Sequence, residues 1–276
     1  MSAQKIFQLN FGRKLACLLP RSIALVMTKI YVAIRFLNAK REKQIIKKNL
    51  SYCGIESSSY NVFRTFVNYG ICLMDLFRVP VYDRKNLEKM VEFKGSENLT
   101  NALQLNRGVI LITGHIGNWD LGGVYLASQG FGLSAVVEDI PRLSDFYNFL
   151  RSRTGMKTIF MKEIDQMILA LKKNEILVLL GDRDLTGSGL RVKFLGGEKS
   201  LPRGPATFAI KYKTPIVFAS FTLNEGQKPY QLVISEPIIS SKETQVELTQ
   251  IIANRLSDYI RQYPTQWFVF EDEWLN

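Results

Sequence analysis

The sequence predicts an α/β protein with a mostly parallel central sheet flanked by helices, preceded by a basic amphipathic helical arm. Three observations carry this. Short, continuously apolar runs recur: VILIT (109–113), SAVVE (134–138), KTIFM (157–161), ILVLL (176–180) and PIVFASFTL (215–223). Helical patterns lie between them, near 119–129, 143–153, 163–173 and 205–212. Strands apolar on both faces and joined by helices mark a buried, mostly parallel sheet. The third observation is charge. The net charge is +11, yet residues 1–50 hold eleven Lys and Arg against the single Glu42, so the rest of the chain is nearly neutral.

Taken in order, the elements begin with that arm, residues 1–55. Its stretch SIALVMTKIYVAIRFL (22–37) is interrupted by Lys29 and falls short of the roughly 20 apolar residues of a membrane span. On a helical wheel Arg21, Thr28, Lys29 and Arg35 share one sector, leaving a wide apolar face. Two readings stay open: a helix lying in the interface of an anionic membrane, or an amphipathic helix packed on its own domain. A signal peptide fits poorly, because no small-residue cleavage site follows and basic residues continue.

Residues 42–54 and 60–78 read as helices, and 56–276 as one α/β domain without a Pro/Gly/Ser linker. NEGQKP (224–229) reads as a hairpin turn into YQLVIS (230–235), which predicts one antiparallel edge. A long helix near 242–262 and a last strand at WFVF (267–270) complete the pattern.

Several classes are disfavoured. Three cysteines without a CxxC pair, and one histidine, argue against structural zinc and against a disulfide framework. GFGLSA (130–135) precedes a strand, so it fails as a dinucleotide loop, and there is no Walker-type loop. The arm's cations stand beside aliphatic residues, with no nucleic-acid module recognisable.

Sites in such sheets form where strands end. His115, the only histidine, directly follows VILIT, and Asp182 and Asp184 follow ILVLLG at the same edge. Gly114 and Gly117 allow a tight turn there, and Asn118 suits the N-cap of a helix beginning at Trp119. If His115 lies on that turn, Asp120 can accept from one ring nitrogen and leave the other as a base. Without a GxSxG elbow, the simplest chemistry is direct: His115 deprotonates a hydroxyl that attacks an activated acyl carbonyl. The alternative is a histidine merely hydrogen-bonded at a strand end. In LPRGPATFAIKY (201–212), Pro205 suits a first helical turn, whose free amides with Arg203 could hold a phosphate or oxyanion. It could equally be an ordinary helix start.

HIGNWD fits an HxxxxD motif. AVVE (135–138), FLRSRTGM (149–156), GDRDLTGSGLRVKFLGG (181–197) and LPRGPATFA (201–209) follow it in order. In these segments the chain resembles the HxxxxD-type lysophospholipid acyltransferase superfamily. It looks most like the branch of bacterial lipid A biosynthesis (lauroyl/myristoyl) acyltransferases and phosphatidylinositol mannoside acyltransferases. The resemblance covers roughly residues 10–270, and DRDL…LPRGPA is closer to the mannoside enzymes.

The resemblance implies a glycerolipid-acyltransferase-like fold that moves a fatty acyl group from acyl-CoA or acyl carrier protein to a hydroxyl of a membrane lipid, a glycolipid above all. It implies His115 as general base, Asp120 as its orienting partner, and Glu198 near the histidine unless it is a solvated loop residue. Arg151 would orient an acidic headgroup or donor phosphate, or serve only as a helix C-terminal cation. Arg183 would be a positioning residue held between Asp182 and Asp184, and Glu138 a weaker positioning residue. No metal or cofactor is implied. The expected location is the cytoplasmic face of the inner membrane, with an apolar groove near the strand ends for the acyl chain. A non-catalytic lipid-binding protein of the same fold is the alternative.

Overall fold

The computed structural model describes residues 3–275; Met1, Ser2 and Asn276, at the ends of the expected arm and domain, lie outside that range. Three helices come first: α1 (Ala3–Leu18), α2 (Arg21–Asn38) and α3 (Lys40–Tyr52). Pro20 separates α1 from α2, as expected of a residue that cannot continue the preceding helix. α2 and α3 meet at Ala39 with a 97° bend. All three pack against α4 (Ser59–Phe77), which Ser58 caps by accepting from the Asn61 amide.

α2 turns its apolar face away from the protein. Ala24 and Val32 are buried and Thr28 lies against Gly70 of α4, whereas Val26, Ile30, Tyr31, Ile34 and Leu37 are 57–72% exposed. Gly70 permits this approach, since a Cβ there would lie 2.6 Å from Val32 Cγ2. Of the expected cationic sector Lys29 and Arg35 stay exposed, and the inward turn of Arg21 has a local cause. Asp75 of α4 is fully buried and accepts Arg21 Nε and Nη2 at 2.8 and 2.7 Å, together with the hydroxyls of Tyr82 and Tyr230. Arg78 donates to the Ala16 and Leu19 carbonyls, satisfying acceptors that the end of α1 leaves open.

The α/β body follows as α5 (Arg84–Met90), β1 (Val91–Lys94), α6 (Ser96–Leu103), β2 (Val109–Thr113), α7 (Trp119–Ser128), β3 (Leu133–Val137), α8 (Leu143–Ser152), β4 (Lys157–Phe160), α9 (Ile164–Lys172) and β5 (Ile176–Leu180). Next come the hairpin strands β6 (Leu190–Phe194) and β7 (Gly197–Leu201), then α10 (Gly204–Tyr212), β8 (Ile216–Leu223), β9 (Tyr230–Ile234) and α11 (Gln245–Gln262). The seven-stranded sheet has the order β1-β9-β8-β2-β5-β3-β4, and every pairing is parallel except β8 with β9.

This is the mostly parallel α/β architecture expected, and it is buried on both faces. Val109 and Leu111 pack in a core with Leu121 and Val124 of α7. Ile110 and Ile112 pack in a second core with Ala206 of α10 and Leu248 of α11.

Two expectations are corrected. The antiparallel β8–β9 pair is not an edge, because β1 adds beyond β9 in parallel. WFVF (267–270) forms no strand. After a 3₁₀ turn at Pro264 its backbone meets the loop beyond β2 through an isolated Ile116–Trp267 bridge and a Phe268 N–H bond to the His115 carbonyl, and the Val269 carbonyl accepts from Asn49 of α3.

Candidate active site

β2 and β5 are parallel neighbours of equal length, with Thr113 opposite Leu180. His115 and Asp182 each lie two residues beyond those paired positions, so the sheet itself delivers them side by side. Gly114 makes room: a Cβ there would lie 3.1 Å from the Asp182 carboxyl carbon. Asp182 Oδ2 accepts the His115 main-chain N–H and the Trp267 indole N–H, both at 2.8 Å, and Oδ1 accepts the imidazole Nδ1–H at 2.9 Å. The donor at Nδ1 follows from the carboxylate being an acceptor.

Asp182 is fully enclosed. Burial opposes its charge, yet the imidazole, Lys199 and the indole outweigh that and hold its carboxyl well below the usual carboxylate range. With Nδ1 so held, Nε2 is the basic nitrogen, and it makes no hydrogen bond among the described residues. The His115 side chain retains 16% exposure, and the Trp119 ring meets it edge-on at 5.0 Å.

Asp120 is turned elsewhere, which corrects the expected pairing with His115. It stands in the first turn of α7, where its Oδ1 accepts Arg151 Nε at 2.8 Å and Nη2 at 2.7 Å. Both side chains are about 10% exposed. The turn between His115 and α7 separates them: Gly117, at φ 59°, leaves no room for a Cβ against the Phe221 carbonyl, and Asn118 caps α7. His115 thereby points toward β5 and Asp120 toward α8.

Beside this turn lies a small pocket walled by Tyr69, Leu73, Gly117, Trp119, Asp120 and Phe268. Tyr69 and Leu73 also line a cavity of about 800 Å³ between α1, α2 and α4, whose other walls include Leu15, Met27, Tyr31 and Phe77. The small pocket at the HxxxxD turn and the larger cavity thus share a wall of Tyr69 and Leu73.

A family model decides what the chain is: that of the bacterial lipid A biosynthesis acyltransferases matches residues 4–276. The chain belongs to that family. A phosphatidylinositol mannoside acyltransferase of Mycolicibacterium smegmatis is 28% identical over 218 residues, 76% of this chain and 71% of that protein. The lipid A biosynthesis lauroyltransferase of Escherichia coli is 26% identical over 158 residues, 55% of this chain and 51% of its own. The solved 1-acyl-sn-glycerophosphate acyltransferase PlsC of Thermotoga maritima covers 91% of this chain and 100% of its own, with a TM-score of 0.45 and 14% identity. Family membership makes this protein an O-acyltransferase.

The remaining residues expected at the acyltransferase site are dispersed. Arg183 is held by Glu273 at 2.5 Å and Glu271 at 3.3 Å, not by Asp182 and Asp184. Asp184 instead organises its own loop, accepting from Thr186, Gly189 and Ser200. Glu198 is not brought to His115: its carboxylate pairs with Arg191 across the β6–β7 hairpin, and its strand position turns it toward solvent. Arg203 immediately precedes α10 without capping it by its side chain, and donates to the Ser188 carbonyl from an exposed position, while Pro205 is buried in the first turn. Glu138 is exposed just past the end of β3. Trp267 and Lys199, both touching Asp182, carried no sequence signal of their own. Asp182 was placed by ILVLLG at the same sheet edge, but its pairing with His115 follows only from the register of β2 with β5.

Proposed function

We propose that this protein moves a fatty acyl group from a thioester, acyl-CoA or acyl carrier protein, onto a hydroxyl of a membrane glycolipid. One observation carries the reading: a lone imidazole, one nitrogen fastened by a buried carboxylate and the other open, on a turn that walls a small pocket sharing Tyr69 and Leu73 with an apolar cavity. In the proposed sequence Asp182 holds the ring by Nδ1–H. Nε2 accepts the proton of the acceptor hydroxyl as its oxygen attacks the thioester carbonyl. As the tetrahedral intermediate collapses, the carbon–sulfur bond breaks and the imidazolium returns that proton to the thiolate. Arg151, fixed by Asp120, supplies positive charge for a phosphate or acidic headgroup. The test offers purified protein both donor types and vesicles carrying glycolipids and lysolipids, then reads acylated lipid by mass spectrometry. Lipid binding without any transfer would replace this reading with that of a non-catalytic lipid-binding protein.

The cavity supports a place for the acyl chain. Leu73→Trp, at the junction of pocket and cavity, should shift the rate ratio of long to short acyl donors by about tenfold or more against the long ones. Competition between donors of different length checks this, and an unchanged ratio places the chain elsewhere.

The outward apolar face of α2, with Lys29 and Arg41 exposed on and beside it, supports residues 1–55 as an arm lying on an anionic membrane, here the cytoplasmic face of the inner membrane. Among the described residues no single helix is long and apolar enough to cross a membrane; α2 and α3 pass that test only as a bent pair. The double change Ile30→Glu, Ile34→Glu should weaken sedimentation with anionic vesicles by about tenfold or more without altering the melting temperature. Undiminished binding would count against the arm.

A further inference from the structure

Lys199 lies on β7 and is 1% exposed. Its Nζ donates to the Asp182 main-chain carbonyl and to Glu273 Oε2, each at 3.0 Å. The same Nζ lies 5.4–5.6 Å from the ring centroids of Phe194, Trp267 and Trp274. An enclosed ammonium is costly unless it is paired, and three ring faces with one carboxylate reduce that cost. An apolar side chain would fill the same space without it. What distinguishes the lysine is a positive charge fastened to the residue that orients the imidazole.

We infer that Lys199 is a positioning residue of the transfer reaction: caged by Phe194, Trp267 and Trp274 and tethered by Glu273, it clamps Asp182 and thereby sets how readily His115 takes and gives up a proton. The inference rests on the His115–Asp182 reading above. The charged groups around the pair come from three directions. The loop after β5 supplies Asp182, Arg183 and Asp184, β7 supplies Lys199, and the C-terminal segment supplies Glu271 and Glu273. Arg191 and Glu198 neutralise each other on the outer hairpin face. A cation behind Asp182 offsets part of the carboxylate's pull on a protonated imidazole. Glu273 moderates the cation, and Arg183 reinforces it.

Two substitutions then move His115 in opposite directions. Lys199→Met removes the cation, so the imidazole should keep its proton to higher pH. Glu273→Gln removes the moderating carboxylate and leaves Lys199 and Arg183 unopposed, so the proton should leave at lower pH. Each shift should be roughly half a unit to one unit. Because His115 is the only histidine in the chain, its imidazole resonance can be followed by NMR without assignment in wild type and both variants. Opposite shifts, mirrored in the acid limb of kcat/KM, support the inference; unmoved titrations overturn it. Should Lys199→Met fail to fold, Glu273→Gln decides alone, since Gln keeps the shape of the 22% exposed Glu273 and an oxygen that can still accept from Lys199. An unmoved or upward midpoint in that variant overturns the inference. The titration needs no substrate. It can therefore fail while His115 remains the base, and it can succeed even if His115→Ala proves active.

Discussion

His115→Ala is expected to lower acyl transfer by about 10²–10⁴-fold, the usual contribution of a general base, while leaving the fold intact. The structure explains why the two effects separate. The imidazole is a terminal group of its local network: removing it takes one donor from Asp182, which keeps the main-chain N–H of residue 115 and the Trp267 indole. The turn itself is secured by backbone bonds, from Gly117 to the Gln266 carbonyl and from Asn118 to the Phe221 carbonyl, and none of these involves the ring. Purified variant and wild type, compared in the same donor–acceptor assay and by thermal melting, give the answer. Transfer at the wild-type rate would remove His115 from the mechanism and leave the family's activity to be explained by other groups.

How much of this was legible beforehand depends on how strongly each segment states its own environment. β2 and β5 match the runs at 109–113 and 176–180 residue for residue, because runs of four or five consecutive apolar side chains suit a strand covered on both faces. β1 (VEFK) and the β6–β7 hairpin (LRVKF, GEKSL) went unread: they are short, alternate with charges, and owe their pairing to partners distant in the chain. The N-terminal arm showed its amphipathic composition but not its orientation. Turning Arg21 inward depends on Asp75, 54 residues away, waiting buried in α4. The same holds at the site. His115 announced itself by being alone, flanked by glycines at a strand end. Its carboxylate partner did not, since a nearby HxxxxD aspartate looks sufficient until α8 presents Arg151 to it.

The contrast between Asp182 and Asp120 is therefore open to direct test, and opposite outcomes are expected for the two isosteric changes. In Asp182→Asn the amide oxygen can keep the two donors at Oδ2, from the His115 main chain and Trp267. That places the NH₂ group against Nδ1. An NH₂ group cannot accept, so Nδ1 must, and the ring proton moves to Nε2, where the base is needed. A loss of about 10⁴ in kcat follows from the wrong tautomer with little change in fold. The pH dependence carries the same signature. Because Asp182 titrates below its ordinary value of 3.8, the stability it contributes is complete above that pH and fades only as pH falls through the lowered value. Asp182→Asn should remove that acid-side slope.

Asp120→Asn acts on the other network. It leaves the Arg151 guanidinium, about 10% exposed, without its anion, and breaking such an enclosed pair costs about 3–5 kcal/mol. Its primary effect should be a lowered melting temperature, with activity falling as α7 and α8 lose their mutual anchor. Replacing Arg151 by Met in the same chain should restore part of the stability by removing the stranded charge. A restored melting temperature without restored activity would show that the arginine itself is used on substrate. If instead Asp120→Asn silenced a stable enzyme and Asp182→Asn left it active, the orienting carboxylate would be Asp120, and the register that brings β2 and β5 to a common edge would serve the fold alone.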